Sequence, residues 1–143
     1  ANANVKPRLR MTTLYYVANR SNGIVIGTGN KSEAMVGYFT KYGDGGVDLL
    51  PIVDLYKHEV RELARVLGVP DAVTARPPSA GLWDGQTDES ELGMSYDELD
   101  AALAAIERGE PGSPGVDPTL FDRVERLVRL SAHKRQPVPA FRR

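Results

Sequence analysis

The sequence predicts an α/β fold that is rich in helices, and two local observations carry the prediction. Ile24-Val25-Ile26 is a β-branched run typical of a strand buried on both faces. It leads directly into a turn with two glycines, and a helical segment follows. A buried strand followed by a helix is the unit from which parallel sheets are built. With 41% hydrophobic and 26% charged residues, the chain can bury a core.

Three helices are expected in the first half of the chain. An apolar stripe over 8–20 predicts the first, and Pro7 is expected to keep the residue before it out of a helix. The second is expected to follow the turn segment 27–32 and to run through about Tyr38. The third is expected over 55–67, with Asp54 as its N-cap and an inward apolar stripe.

The second half is expected to hold two more helices. Ser95 and Glu98 form a capping box for one, and Asp117 precedes a proline that opens the other. Residues 40–49 and 73–91 are expected to be loops. One strand cannot make a sheet, so the partner strands are expected outside this sequence, and 1–143 is expected to be the C-terminal part of a single α/β domain.

Composition excludes several classes of function. The sequence has no cysteine and only two histidines, which argues against disulfides, a thiol nucleophile and Cys- or His-rich metal sites. Its net charge of -1 argues against a generally basic nucleic-acid binder. No apolar run approaches the roughly 20 residues that span a membrane. A cytoplasmic protein is the resulting expectation.

Charge is distributed unevenly along the chain. Residues 1–43 carry a net +5 and 111–143 a net +4, whereas 71–110 carry a net -8. The two basic ends either form one anion-binding site or are simply solvated surfaces, and the charge pattern leaves both interpretations open.

Two glycine-containing segments are candidate binding loops. In 27–33, backbone N–H groups at a helix start and the Thr28 hydroxyl favour an anion, and Glu33 one turn later suggests magnesium beside a phosphate. In 40–48, Lys41 and Asp48 flank three glycines and can converge on a polar ligand if the loop folds back. An ordinary turn remains the alternative for each segment.

Three further positions are candidates with equally good structural explanations. Lys57 lies near a helix start, where a cation is unfavourable unless an anion is near. Ser79 follows two prolines that stiffen its loop. His133-Lys134-Arg135 follows the last predicted helix. His58 is interpreted as a surface residue.

These motifs together resemble the synthetase domain of NAD synthetase. The resemblance rests on Gly-Thr-Gly-Asn-Lys-Ser-Glu at 27–33, Tyr-Phe-Thr-Lys-Tyr-Gly-Asp-Gly-Gly-Val-Asp at 38–48, Pro-Pro-Ser-Ala at 77–80, Gln-Thr-Asp-Glu at 86–89 and His-Lys-Arg at 133–135. It implies a Rossmann-like, adenine-nucleotide α-hydrolase fold. It also implies an ammonia-dependent ligase that adenylates deamido-NAD with MgATP and then displaces AMP with ammonia.

The resemblance also implies residue roles. Thr28, Lys57 and Ser79 would bind ATP, and Glu33 would bind Mg²⁺. The residues that would bind deamido-NAD are Arg8, Lys41, Asp48, His133 and Lys134. No catalytic acid or base is assigned, and a homodimer is implied by the resemblance alone.

One family motif is absent. The Ser-Gly-Gly-x-Asp-Ser loop that grips the ATP phosphates does not occur in this sequence, so the chain alone is expected to be inactive. Two alternatives remain: the synthetase domain of a glutamine-dependent NAD synthetase, or a non-catalytic remnant that binds nucleotide.

Overall fold

The structure is a computed structural model that describes residues 2–111 and 113–141. Within these ranges the chain forms a short 3-10 turn at Asn2–Asn4 followed by seven α-helices. The helices are α1 (Val5–Arg20), α2 (Lys31–Val36), α3 (Lys57–Val66), α4 (Asp71–Thr74), α5 (Asp88–Leu92), α6 (Tyr96–Arg108) and α7 (Pro118–Arg135).

The predicted strand at 24–26 does not form as a strand. In the described ranges, β-pairing is limited to one parallel bridge between Ile26 and Leu49. Two backbone hydrogen bonds support it, from Gly27 N to Leu49 O and from Asp48 N to Val25 O. Val25 is buried, but Ile24 and Ile26 are 62% and 57% exposed because the described elements leave both side chains uncovered. The parallel direction agrees with the prediction, whereas the buried strand was wrong.

The core lies where α2, α6 and α7 meet. As predicted, apolar side chains of α6 and α7 face the core, and the buried polar residues Asp100 and Ser131 lie on the same two helices. Tyr96, Leu99, Leu103 and Val124 are all fully buried. The sequence signals at the starts of these helices are confirmed, because Ser95 Oγ accepts from Glu98 N and Asp117 Oδ1 accepts from Leu120 N.

α2 covers Lys31–Val36, so it begins and ends earlier than predicted, and the predicted helix boundaries differ from the structure in four further places. α1 begins before Pro7, which occupies the first turn, where a missing N–H costs nothing. α3 begins after Tyr56, so Asp54 does not cap it. The expected loop 73–91 contains part of α4 and all but the last residue of α5, which are too short to show helical periodicity.

The fourth difference is at the end of the chain. His133, Lys134 and Arg135 lie in the last turn of α7, not after it. Arg135 donates to the carbonyl of Ala34, and both it and Lys134 reach backbone carbonyls at the end of α2. These contacts between α2 and α7 favour continuation of the helix through Arg135.

The apolar stripes of α1 and α3 are not buried as expected. Leu9, Tyr16 and Val17 of α1 are each more than half exposed, and α3 has no buried residue. In the part of the chain that the structure describes, no element packs against these faces closely enough to cover them. None of the described helices is both long enough and apolar enough to cross a membrane.

Candidate functional site

A cleft of about 860 Å³ lies between α1, the 25–28 segment, the start of α3 and the 77–86 loop. The predicted ATP and metal residues all line it: Thr28, Glu33, Lys57 and Ser79. They come from three separate stretches of sequence, namely the 27–33 segment, the start of α3 and the 77–86 loop. The tertiary structure therefore gathers in one place a set that the sequence presents as independent motifs.

The turn at the cleft edge is held by a capping box at the start of α2. Asn30 Oδ1 accepts from Glu33 N at 3.0 Å, and Asn30 N donates to Glu33 Oε2 at 3.1 Å. Asn30 is only 2% exposed, so the box is shielded from water. Gly27 permits close packing at this turn, because a Cβ there would lie 2.6 Å from a Leu50 methyl group and 2.8 Å from a Val47 methyl group. The turn is thus fixed before any ligand arrives.

Lys57 and Glu33 form an ion pair at the edge of the cleft. Lys57 Nζ lies 3.3 Å from Glu33 Oε1, and both side chains are 18% exposed. The ammonium group also lies 4.8 Å from the centre of the Tyr96 ring, within range of a cation–π interaction. A cation is unfavourable at a helix start because of the helix dipole, and Lys57 has the Glu33 carboxylate and the face of Tyr96 as compensating partners.

A second acidic group lies behind this pair. The buried carboxylate of Asp88 accepts from Tyr96 OH at 2.9 Å and from Tyr38 OH at 3.2 Å. Burial, together with the charges of Glu33 and Asp88, raises the pKa of Tyr96 above its ordinary value. The hydroxyl therefore remains protonated and donates to these carboxylates.

Sequence reasoning did not assign roles to Tyr38, Asp88 and Tyr96. A signal for Asp88 was present, because Thr87 followed by acidic residues is a helix-start pattern. Nothing local indicates that Asp88 faces Tyr38, which is 50 residues away in the sequence.

His58 is exposed, which confirms the interpretation of it as a surface residue, but it also has defined partners. Its Nδ1 lies 2.9 Å from Asp100 Oδ2, and its ring stacks on Tyr56 with 5.9 Å between ring centres. Asp100 is 3% exposed and also accepts a hydrogen bond from the buried Ser32 hydroxyl.

The predicted deamido-NAD residues are divided between two places. Lys41 Nζ donates to His133 O at 2.8 Å, and Arg8 reaches Lys41 O at 3.5 Å. The two basic ends of the chain therefore meet, which is compatible with the interpretation of the charge distribution as one anion-binding site. Among the five residues predicted to bind deamido-NAD, the cleft lining includes only Lys134.

Lys134 has a structural role in this conformation. Its Nζ donates to Gly37 O and to Phe39 O, each at 2.7 Å. Burial lowers the pKa of Lys134, and the nearby charge of Asp44 opposes that shift. The side chain ties the end of α7 to the segment after α2.

Asp48 lies apart from the other predicted deamido-NAD residues. It accepts from Val25 N at 2.8 Å and from Tyr15 OH at 3.0 Å. Burial and the Asp48 carboxylate raise the pKa of the Tyr15 hydroxyl. Asp48 therefore links α1 to the paired segments 25–27 and 48–49.

Ser79 lies on a loop whose backbone carbonyls accept hydrogen bonds from side chains of α1. Arg10 donates to Ala80 O and Gly81 O at 3.3 Å, and Lys6 donates to Leu82 O. The Ser79 hydroxyl is exposed and accepts from Gly81 N at 3.1 Å. The loop presents this hydroxyl at the cleft.

Magnesium can be tested against the donor set around Glu33. Among residues 2–111 and 113–141, no cluster of three or more His, Cys, Asp or Glu side chains could hold a metal ion. Mg²⁺ in phosphate sites commonly uses one or two carboxylates together with phosphate oxygens and water. Glu33 fits that requirement, because its carboxylate lines the cleft and its Oε1 has only contacts of 3.3 Å to Lys57 and Tyr96.

Comparison with known proteins gives a consistent result. The family model described as NAD synthase matches residues 1–138. The NH3-dependent NAD+ synthetase of Archaeoglobus fulgidus is 58% identical over 142 residues, which covers 99% of this chain and 56% of that protein.

Two solved structures are also similar. An NMN synthetase from Francisella tularensis has 43% identity and a TM-score of 0.84, covering 96% of this chain and 55% of its own. An NH3-dependent NAD synthetase from Campylobacter jejuni, solved with a nitrate ion, has 28% identity and a TM-score of 0.79, covering 97% of this chain and 54% of its own.

The chain spans about half the length of the curated relatives it matches. Within that span the match is continuous, and it includes the turn, the cleft and the last helix. The chain belongs to the NAD synthase family.

Proposed function

We propose that this chain forms part of an ammonia-dependent ligase that converts deamido-NAD to NAD at the expense of ATP. The observation that carries the proposal is the meeting of Thr28, Glu33, Lys57 and Ser79 in one cleft, in a chain whose relatives are named NH3-dependent NAD+ synthetases. For the fold, we propose the Rossmann-like, adenine-nucleotide α-hydrolase arrangement. The parallel bridge between Ile26 and Leu49 supports it.

The cleft is assigned to ATP on chemical grounds. Lys57 supplies a cation for phosphate oxygens, and the exposed hydroxyls of Thr28 and Ser79 supply neutral polar contacts. When the nucleotide binds, the Lys57 ammonium group leaves Glu33 and pairs with a phosphate group instead. The capping box at Asn30 keeps the turn in place during that exchange.

Deamido-NAD is assigned to the basic residues beside the cleft. Arg8, Lys41 and His133 form a connected group, with Lys134 next to it on α7. Asp48 is assigned to a neutral or cationic part of the same ligand. The substrate carboxylate and the ATP phosphates are both anions, so the positive charges of Arg8, Lys41 and Lys134 offset their repulsion and positioning lowers the barrier further.

Glu33 is proposed to hold Mg²⁺. The ion would neutralise charge on the ATP phosphates when bound. The negative charge of Glu33 would attract this ion. Glu33 Oε2 keeps its hydrogen bond from Asn30 N, and this bond orients the carboxylate. Lys57 and Tyr96 remain as partners of Oε1 without the nucleotide.

Two steps are proposed for the reaction. A carboxylate oxygen of deamido-NAD attacks the α-phosphorus of ATP, and pyrophosphate leaves. Ammonia then attacks the acyl carbon, loses a proton, and displaces AMP to leave the amide. One original carboxylate oxygen must therefore end up in AMP.

An isotope experiment tests this order of events. Deamido-NAD labelled with ¹⁸O in its carboxylate is incubated with MgATP and ammonium, and the AMP is examined by mass spectrometry. Transfer of one ¹⁸O atom to AMP together with NAD formation is the expected result. NAD formation with unlabelled AMP would contradict the adenylated intermediate.

The assay is run on two proteins. One is the 143-residue chain, which we infer to be inactive alone because its sequence has no Ser-Gly-Gly-x-Asp-Ser loop. The other joins this chain to the part of the Archaeoglobus fulgidus relative that the match leaves uncovered. Activity of the joined protein with ammonium but not with glutamine is expected, and activity that requires glutamine would favour the glutamine-dependent alternative.

A second candidate has its own support. The similar structure from Francisella tularensis is described as an NMN synthetase and is 43% identical to this chain. The corresponding substrate is the mononucleotide acid. Measuring kcat/KM for both acids decides between the two, and a preference for deamido-NAD is expected because the curated relatives at 58% and 52% identity are NAD+ synthetases.

A further inference from the structure

The start of α3 is capped by side chains from two other helices. Lys57 N donates to Ser32 Oγ at 2.9 Å, and His58 N donates to Asp100 Oδ2 at 3.0 Å. The first N–H groups of a helix have no partner within the helix and need one from outside. Tyr56, at the N-cap position, has no short polar side chain that could serve. This helix start therefore depends on the tertiary structure.

Asp100 is the central member of the cap. Both of its oxygens are used, Oδ1 by the Ser32 hydroxyl and Oδ2 by the backbone and ring of His58. The carboxylate is 3% exposed and Ser32 is completely buried. A carboxylate at a helix N-terminus is favoured by the helix dipole, and burial strengthens the interaction.

The cap fixes the position of the Lys57 backbone, from which the side chain extends. The Ser32 hydroxyl that donates to Asp100 is the same group that accepts the Lys57 amide. Ser32 also lies on α2 next to Glu33, which is the partner of the Lys57 ammonium. The buried hydrogen bonds from Asp100 through Ser32 to the Lys57 amide therefore fix the Lys57 backbone relative to the Glu33 carboxylate.

We propose that Asp100 is a positioning residue that holds Lys57 against the nucleotide cleft. The inference rests on the proposed assignment of that cleft to ATP, and it extends the assignment to a residue outside the cleft lining. Removing Asp100 frees the start of α3, and Lys57 then spends less time where a phosphate group can use it.

The test compares four forms of the protein: wild type, Asp100→Ala, Asp100→Asn and Leu103→Ala. Leu103 is fully buried one turn further along α6, so its truncation destabilises the same helix without touching the cap. Amide hydrogen exchange is followed by NMR on the 143-residue chain, at a temperature where all four forms are folded. MgATP affinity is measured by calorimetry on the same chain and on the joined protein described above.

Asp100→Ala is expected to accelerate exchange at the Lys57 and His58 amides and to weaken MgATP binding, each by about tenfold. Asp100→Asn retains an acceptor for His58. It is therefore expected to keep most of the wild-type amide protection and most of the wild-type MgATP affinity. Leu103→Ala should lower the melting temperature while leaving the exchange of these two amides, relative to the rest of the chain, unchanged. In a Lys57→Ala background, Asp100→Ala should have almost no further effect on MgATP affinity.

Three results would overturn the proposal. In the first, the Lys57 and His58 amides stay protected from exchange in Asp100→Ala. In the second, Leu103→Ala shows the same exchange pattern as Asp100→Ala. In the third, Asp100→Ala lowers MgATP affinity by the same factor in the wild-type and Lys57→Ala backgrounds. Absence of MgATP binding by both wild-type proteins would instead contradict the assignment of the cleft. In that case the exchange pattern alone decides whether Asp100 orders the start of α3.

Discussion

Lys57 Nζ and Glu33 Oε1 lie 3.3 Å apart, which joins the first residue of α3 to the first turn of α2 at the edge of the cleft. Each side chain is 18% exposed, so the pair is accessible to a ligand yet partly shielded from water. A phosphate group bound here would compete with Glu33 for Lys57, whereas a metal ion would compete with Lys57 for Glu33. The two residues should therefore respond differently to substitution.

The first prediction separates the two substrates. In the joined protein, Lys57→Ala is expected to raise KM for ATP, and Lys41→Ala to raise KM for deamido-NAD. Loss of a charged hydrogen-bond partner typically costs about 1.5–3 kcal/mol, so each effect should be roughly ten- to a hundred-fold. Steady-state kinetics with each substrate varied in turn provides the measurement. Equal effects of both variants on both substrates would contradict the division between cleft and basic group.

The second prediction concerns metal dependence. Glu33→Gln keeps the oxygen that accepts from Asn30 N but removes the negative charge that Mg²⁺ requires. We expect a large fall in kcat and a weaker dependence on Mg²⁺ concentration, with little change in melting temperature. Rate measurements over a range of Mg²⁺ concentrations test this. An unchanged Mg²⁺ profile would leave Glu33 with only its capping role.

The third prediction compares two glycines with the same backbone conformation. Gly37 ends α2 at φ +71°, and a Cβ there would collide with Ser131 of α7 and lie 2.9 Å from its Oγ. Gly68 ends α3 at φ +70°, with nothing within 4 Å of the same position. Gly68→Ala should cost about 1–2 kcal/mol from backbone strain alone. Gly37→Ala should cost about 1–3 kcal/mol more, because it also overpacks the contact between α2 and α7.

Chemical denaturation of both variants measures the difference in the free energy of unfolding. Equal costs at the two positions would mean that α7 moves away from Gly37 without loss, and that the contact between α2 and α7 is not tightly packed.

The fourth prediction concerns acid stability. Glu107 accepts from Tyr56 OH and lies 2.9 Å from Lys31 Nζ, and these two contacts lower the pKa of Glu107 below its ordinary 4.5. A carboxylate whose pKa is lower in the folded state stabilises the protein above its ordinary pKa. That stabilisation is lost as the pH falls through the lowered pKa of the folded state.

Glu107→Gln is therefore expected to be less stable than wild type at pH 7, and the difference should shrink as the pH falls through the lowered pKa of the folded state, where wild-type Glu107 becomes neutral as well. Urea denaturation at several pH values measures the difference. Glu62→Gln, at an exposed position of α3, is the matched control for replacing a glutamate by glutamine. A constant difference for Glu107→Gln at all pH values would show that its charge is not the cause.

The sequence by itself determined the helices whose start signals are local. Ser95 with Glu98, and Asp117 with its following proline, lie within four residues of the groups they cap, so α6 and α7 begin where predicted. It also determined the glycine turn before α2, where Asn30 and Glu33 cap each other. The family motifs marked the residues of the cleft without indicating their mutual distances.

The tertiary structure decided how the Lys57 and His58 amides are capped, the environment of His58 and the exposure of residues 24–26. Glu59, which accepts from Tyr56 N, is the local contribution to the start of α3. The α3 cap uses Ser32 and Asp100, which are 68 residues apart in the sequence and leave no local signal. The β-branched run predicts burial because of its own side chains. Whether Ile24 and Ile26 are covered depends on which segments pack beside them, and only 48–49 pairs with the run among the described residues. A local pattern fixes hydrogen bonds between neighbours in sequence, whereas burial and long-range capping depend on where distant segments lie.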